Sequence, residues 1–370
     1  DVDAGAPVTD ETLFAIGSTT KAFTAAGLGM LHEEGRLDWS TPVQEYLPHF
    51  RMHDEFATEE MTAVDLLTHQ SGLPRHDLLW YATDFSREQL FQRLRHLKPS
   101  ASFRSTFQYQ NLMYMTAGYL AGQINGLGWE TFTRRRLLNP LGMSRSTFSV
   151  DSLRTTDNYA RPYGGGRDST FVVDYRSLDA VGPAGSINSS VSEMTAWVQL
   201  ILNDGRHDDT PLIDSTTVAQ LTRPRIVLKE NIRPFMQDEE TPRLYALGWF
   251  VEMHDGHRVL WHSGGIDGFS AMVGMIPARE VGWVMLTNKG GTPAPSILMY
   301  ELVDRILGRD GPDWNQRIAD FYAQQAEPDT ARADTAAARP DTTTASPTHP
   351  LGDYVARYTH PGYGAFEVTM

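Results

Sequence analysis

Thr12-Leu-Phe-Ala-Ile-Gly-Ser-Thr-Thr-Lys21 runs directly into Ala22-Phe-Thr-Ala-Ala-Gly-Leu-Gly-Met-Leu31, and Gly35 follows as a stop. The second half is small and apolar on every side. It predicts a helix from Ser18 to about Glu34 that is packed on most faces and is therefore central. A serine in the first turn of such a helix has its hydroxyl beside unsatisfied N–H groups and the positive end of the helix dipole, where a developing oxyanion is favoured. Lys21, three residues on, stands on the same face and can reach it. Lysine suits that place because burial lowers its pKa and lets it pass a proton, which arginine cannot do. Taken alone, the four residues equally fit a capping serine beside a solvated lysine.

Around this stretch the composition narrows the chemistry. The chain has 370 residues, and 46 acids against 32 bases leave a net charge of −14. Nucleic acid is excluded as a partner, since a polyanion calls for a clustered basic surface. There is no cysteine, which removes disulfides, thiolate zinc sites, iron–sulfur clusters and a cysteine nucleophile together. Lysine occurs only four times, at 21, 98, 229 and 289, so a motif that requires one had few chances to arise by accident. The most apolar stretch, Ala22 to Leu31, is about half a membrane span.

Residues 40–243 read as mainly helical. Thr62-x-x-Asp65 and Ser190-x-x-Glu193 are capping-box starts, and Leu90 to Leu97, Leu112 to Ile124 and Met194 to Leu202 carry apolar residues at helical spacing. The pattern then changes to short β-branched and aromatic runs at Ala246–His254, His257–His262, Phe269–Ile276 and Val281–Thr287. Asp255-Gly256, Gly264-Gly265 and Pro277-Ala278 separate them as turns of an antiparallel sheet. Helices are expected from Ala294 to about Leu307 and around Trp314 to Gln324. Residues 327–349 contain no Leu, Ile, Val or aromatic side chain and read as a linker. Residues 350–370 read as the opening of a further β unit.

Two more motifs carry chemistry. In Tyr109-Gln-Asn111, the tyrosine can serve as a base near neutrality only if close cations lower its pKa by about 3 units. Asn111 can orient a lysine or a substrate amide. By themselves the same residues fit a capping Asn beside a core Tyr. His262-Ser263-Gly264-Gly265 closes a strand, where two glycines let a substrate approach the backbone and leave N–H groups for an oxyanion; a hairpin turn is the other reading of the pair.

In this order, with Leu66-Leu-Thr-His-Gln-Ser-Gly-Leu-Pro74, Leu141-Gly-Met143 and Gly248-Trp249 between and around them, the three motifs resemble the penicillin-recognising serine hydrolases. These comprise class C β-lactamases, D-alanyl-D-alanine carboxypeptidases and the CubicO-type esterases and peptidases. The resemblance implies an α/β (α+β) fold, with an antiparallel sheet flanked by helices and a mainly helical inserted subdomain. It implies one hydrolase domain over 1–326, with the sheet part at 1–39 and 244–326 and the helical part at 40–243.

It also implies roles. Ser18 is the acylated nucleophile, Lys21 and Tyr109 are the proton-transfer pair, and Asn111, His262, Ser263 and Gly264 bind substrate. The backbone N–H groups of Ser18 and Gly265 form the oxyanion hole, and neither metal nor organic cofactor is needed. The substrate is a small ester, amide or peptide, with a penicillin-binding sensor that is acylated without turnover as the alternative. Many β-lactamases of the group have a lysine where His262 stands, and a histidine is mostly neutral near pH 7. Weak or no β-lactamase activity is therefore expected, with better turnover of small esters or peptides, as in a CubicO-type esterase or peptidase rather than a true β-lactamase.

The resemblance further implies an exported protein. It suggests an internal fragment of a longer chain, since the family's sheet has strands upstream of the Ser-x-x-Lys helix. Other residues are read as structural. His69 lies in a loop after a helix, His49 and His53 lack a third metal ligand, and Tyr163-Gly-Gly-Gly166 and Gly182-Pro-Ala-Gly185 are ordinary loops.

Overall fold

The computed structural model describes residues 1–166, 169–228, 242–326 and 347–370. Its centre is a six-stranded antiparallel sheet in the order Val281–Thr287, Phe269–Ile276, His257–Ile266, Phe250–His254, Leu244–Tyr245, Ile226–Val227. The expected strands are present, the first shortened to Phe250–His254, and two of the three expected turns join them. Asp255 and Gly256 both take positive φ (46° and 73°) in a two-residue loop, the conformation a tight hairpin selects. The last strand, Ile226–Val227, lies inside the stretch expected to be helical.

One turn is not where the sequence pattern put it. Gly264 and Gly265 are not a turn: the strand continues through them to Ile266, pairing Gly264 with Ala271 and Gly265 with Ser270. The chain reverses at Asp267-Gly268 instead. Gly264 is required by close approach, because a Cβ there would stand 1.9 Å from the Ile16 carbonyl oxygen. The strand thereby presses against the turn that carries Ser18.

The expected central helix is Thr20–Glu33, preceded by a single 3-10 turn, Gly17–Thr19. Every residue from Thr20 to Leu31 is buried. Phe23 stacks on Trp197 with ring centroids 4.0 Å apart, and burying each such aromatic contributes about 1.5–3 kcal/mol. The helix Asn111–Asn125 packs against it and against the turn Gly182–Gly185. Gly118 permits the second contact, since a Cβ there would overlap Pro183 at 2.1 Å. Pro183 is in turn tied to the central helix through Thr24, whose hydroxyl donates to the Pro183 carbonyl at 2.7 Å.

Thr62 and Asp65 form the reciprocal capping box. Ser190 makes only half of one: it accepts from the Glu193 amide, while the Glu193 carboxylate turns away to the Arg145 amide and the Ser146 hydroxyl. A second apolar layer packs Met299, Tyr300 and Val303 of the helix Ala294–Leu307, with Trp314, against Val259 and Trp261 of the sheet.

Of the expected linker 327–349, residues 327–346 lie outside the described residues. The C-terminal stretch forms a hairpin, Arg357–His360 with Gly364–Glu367. Its turn rests on the helical part, where Arg93 donates to the carbonyls of Pro361 (3.1 Å) and Gly362 (2.7 Å). Among the described residues no helix is long and apolar enough to cross a membrane.

Candidate functional site

Ser18 sits on the Gly17–Thr19 turn, one residue before the α-helix proper. The turn is pinned from both sides: the Ile16 amide donates to the Ile187 carbonyl at 3.0 Å, and the Thr19 hydroxyl donates to the Ile16 carbonyl at 3.0 Å. The first half-turn of the helix then brings Lys21 beneath the serine, with its Nζ 3.0 Å from Ser18 Oγ. Lys21 is fully buried. Its other two contacts are Asn111 Oδ1 and the Ala184 carbonyl, both at 2.8 Å.

Those two partners decide what the amine can do. Carbonyl oxygens only accept, so each takes an N–H. Burial first, and then the Arg75 charge, hold the Lys21 pKa well below the ordinary lysine range, with Asp77 opposing more weakly. A neutral amine has two N–H groups and one lone pair. In that form both N–H groups go to Asn111 and Ala184 and the lone pair is what remains for Ser18 Oγ, whereas the ammonium form donates its third N–H there.

The Asn111 amide is oriented by its other end. Its Nδ2 donates to Asp77 Oδ1 at 3.1 Å, and an ionised carboxylate accepts only, so Oδ1 is the atom left to face Lys21. Asp77 also accepts from Trp80 Nε1 at 3.0 Å and from Arg75 Nε at 2.5 Å. Asp77→Ala frees the Asn111 amide to rotate and is expected to lower kcat about tenfold, the value of one charge-assisted hydrogen bond. Steady-state kinetics check this, and an unchanged kcat would remove Asp77 from the chain of contacts.

Tyr109 is half-buried over the same point. Its hydroxyl lies close enough to the Ser18 side chain to be influenced by it, and its ring lies 4.8 Å from Lys21 Nζ and 5.1 Å from the Arg75 guanidinium. The sequence reading required cations to lower this phenol; the structure raises it. Desolvation outweighs the influence of Ser18 and the Arg75 charge, so Tyr109 keeps its proton and the depressed group of the pair is Lys21.

The strand motif divides. Gly265 lines a cavity of about 500 Å³ that opens beside Asp77, Trp80, Tyr81, Asp267 and Gly290. Its backbone nitrogen faces the Ser18 turn, lying 2.7 Å from where a Gly17 Cβ would stand, and Gly264 abuts the Ser18 nitrogen. The two amides expected to hold an oxyanion are thus neighbours. His262 is different: its ring is buried, with Nε2 3.1 Å from the Tyr245 hydroxyl and Nδ1 2.7 Å from the Ser263 carbonyl oxygen. Ser263 is half-buried and pairs with Met272.

Sequence reasoning missed Arg75, Asp77, Tyr245 and the Ala184 carbonyl. The last belongs to Gly182-Pro-Ala-Gly185, set aside as an ordinary loop, which is a single helical turn beside Lys21. No sequence spacing signals a backbone carbonyl. Asp77 and Arg75 follow Leu66–Pro74 at once, so the neighbourhood of that phrase was the available signal.

A Beta-lactamase family profile matches residues 1–308. An unguisins hydrolase of Aspergillus violaceofuscus is 32% identical, over 100% of this chain and 70% of its own length. Among solved structures, the octameric penicillin-binding protein homologue from Pyrococcus abyssi superposes with a TM-score of 0.68 at 24% identity, covering 83% of this chain and 69% of that one. The D-amino acid amidase from Ochrobactrum anthropi SV3 gives 0.65 at 21%, covering 86% and 88%. These two likenesses show a common fold.

Proposed function

The chain belongs to the β-lactamase family of serine hydrolases, and from that premise we propose that it cleaves small amides, peptides or esters through an acyl-enzyme on Ser18. The observation that carries the reading is the buried Lys21 amine, with Nζ 3.0 Å from Ser18 Oγ and its two other hydrogen bonds made to carbonyl oxygens; in its neutral form that leaves the lone pair for Ser18 Oγ. Ser18 Oγ attacks the substrate carbonyl carbon and its proton passes to Lys21 Nζ, making the ammonium. The oxyanion is held by the Ser18 and Gly265 amides. As the tetrahedral intermediate collapses, the leaving nitrogen or oxygen takes the Tyr109 proton, and Lys21 returns one to Tyr109. Water then attacks the acyl carbonyl by the same path in reverse. Asn111 holds Lys21 in place for both halves.

The cavity favours substrates without a carboxylate. Among the described residues its lining includes Asp77 and Asp267 and neither lysine nor arginine, and the nearby guanidinium groups of Arg75 and Arg176 are paired to those two carboxylates. With His262 turned into the core where many relatives have a lysine, nitrocefin is expected to turn over at least about 100-fold more slowly than p-nitrophenyl butyrate or a D-amino-acid amide, the discrimination available when a charge has no partner. Equal turnover would sink this specificity.

Fluorophosphonate labelling tests the nucleophile. A single adduct on Ser18 that is lost in Ser18→Ala is the expected result, as is rapid recovery after a substrate ester. A permanent substrate adduct would indicate a sensor, and labelling elsewhere would overturn the assignment.

A further inference from the structure

His69 follows the helix Ala63–Leu67 and is fully buried. It takes a left-handed conformation, φ 60°, which disfavours any residue with a Cβ and persists only where the surroundings hold it. Its carbonyl accepts from the Gln108 amide at 2.9 Å, and its Nδ1 accepts from the Gln110 amide at 3.0 Å. The backbone amides of the two residues on either side of Tyr109, Gln108 and Gln110, are thus both held by one residue. Its ring also lies against the Tyr109 ring, with centroids 4.4 Å apart and planes inclined by 31°.

The state of the ring follows from those contacts. Nδ1 accepts, so in the neutral ring the proton is on Nε2. Burial, with Lys21, His262 and Arg75 nearby, holds the His69 pKa well below the usual histidine range. Among the described residues Nε2 has no hydrogen-bond partner; the rings of Tyr114, Tyr245 and Phe107 lie around the His69 ring, with centroids 5.1, 5.0 and 5.2 Å away. A left-handed backbone and an unpartnered buried N–H both cost stability, and an apolar residue would avoid the second. What only the histidine supplies is an acceptor for Gln110 at the end of a flat ring that supports Tyr109.

We propose that His69 is a positioning residue for proton transfer: a neutral clamp that fixes the Tyr109 phenol against Ser18 Oγ through the backbone on both sides of Tyr109. The inference rests on the role given to Tyr109 above. It gives His69 no contact with substrate and no proton to exchange.

Three variants test it. His69→Asn tolerates the left-handed conformation and keeps an acceptor close to the Nδ1 position. His69→Gly relieves the backbone and removes the acceptor. His69→Phe refills the aromatic cage without an acceptor, so a folding failure in one of the last two leaves the other to report. The acceptor-less variants are expected to lose roughly 30-fold in kcat with KM little changed, as for a misplacement of under an ångström. His69→Asn is expected to recover to within about fivefold. Tyr109→Phe combined with an acceptor-less variant is expected to be no worse than Tyr109→Phe alone, because a clamp has nothing left to position. An acceptor-less variant with normal kcat, or one whose loss multiplies with that of Tyr109→Phe, overturns the clamp while leaving the role of Tyr109 intact. Normal turnover in Tyr109→Phe itself overturns the reading on which the clamp rests.

Discussion

Lys21→Met is expected to abolish turnover to at least about 100-fold below the parent, the span of a lost general base, while leaving the protein folded. Methionine fills the same channel without a charge or a lone pair of comparable basicity. The expected loss is in kcat, because the amine acts on Ser18 and its contacts are all internal. In the parent, kcat/KM is expected to rise with pH through the folded-state pKa of Lys21, since only the neutral amine accepts the serine proton. That pKa lies well below the ordinary lysine range. A kcat within tenfold of the parent would take Lys21 out of the mechanism.

The same substitution has a thermodynamic signature. Lys21 titrates lower in the folded chain than in the unfolded one, with desolvation as the main cause. Between the two pKa values the unfolded chain binds a proton that the folded chain does not, so parent stability rises with pH across that window. The cost is fully present below the folded pKa and vanishes above the unfolded one. The melting temperature of Lys21→Met, measured relative to the parent, is therefore expected to fall as pH rises from neutrality toward the ordinary lysine range. A difference independent of pH would mean that Lys21 is not held neutral.

How much of this was legible in the sequence depends on range. Ser18 and Lys21 lie one helical turn apart, so local periodicity is enough to place them together. The strands from residue 250 onward are β-branched and aromatic runs divided by turn residues, so local composition was enough to find them, although Phe269–Ile276 is buried at nearly every residue rather than alternately. Gly264 misled because glycine serves two ends, positive φ and close approach, and a sequence does not say which; here it is approach. Tyr109 misled because a count of nearby cations omits desolvation, which outweighs them. Asp77 reaches Asn111, and His69 reaches the Gln110 amide beside Tyr109, across 34 and 41 residues of chain, and the Ala184 contact is made by a backbone atom. None of these has a periodic trace. His262 has a substrate role only through the family resemblance, and its contact with Tyr245 appears only in three dimensions.

Gly264→Ala is expected to damage folding and activity together, and Gly265→Ala to spare folding, although the two glycines are neighbours on one strand. A Cβ on Gly264 would lie 1.9 Å from the Ile16 carbonyl oxygen and 3.2 Å from the Ser18 nitrogen. Both are backbone atoms of the turn pinned by Ile187 and Thr19, so no rotamer change relieves the clash. The strand and the Ser18 turn must part, at a cost of about 3 kcal/mol, the upper part of the range for overpacking. Parting them separates the two amides proposed to hold the oxyanion, and loss of one such donor costs at least about 100-fold in kcat. A Cβ on Gly265 meets nothing within 4 Å and projects toward open cleft, so its melting temperature is expected to match the parent's. Its effect is confined to substrates that need the space, and it appears in KM. Thermal melts and steady-state kinetics on the pair decide the matter: equal behaviour of the two variants would show that the strand does not bear on the Ser18 turn as the close approach at Gly264 requires.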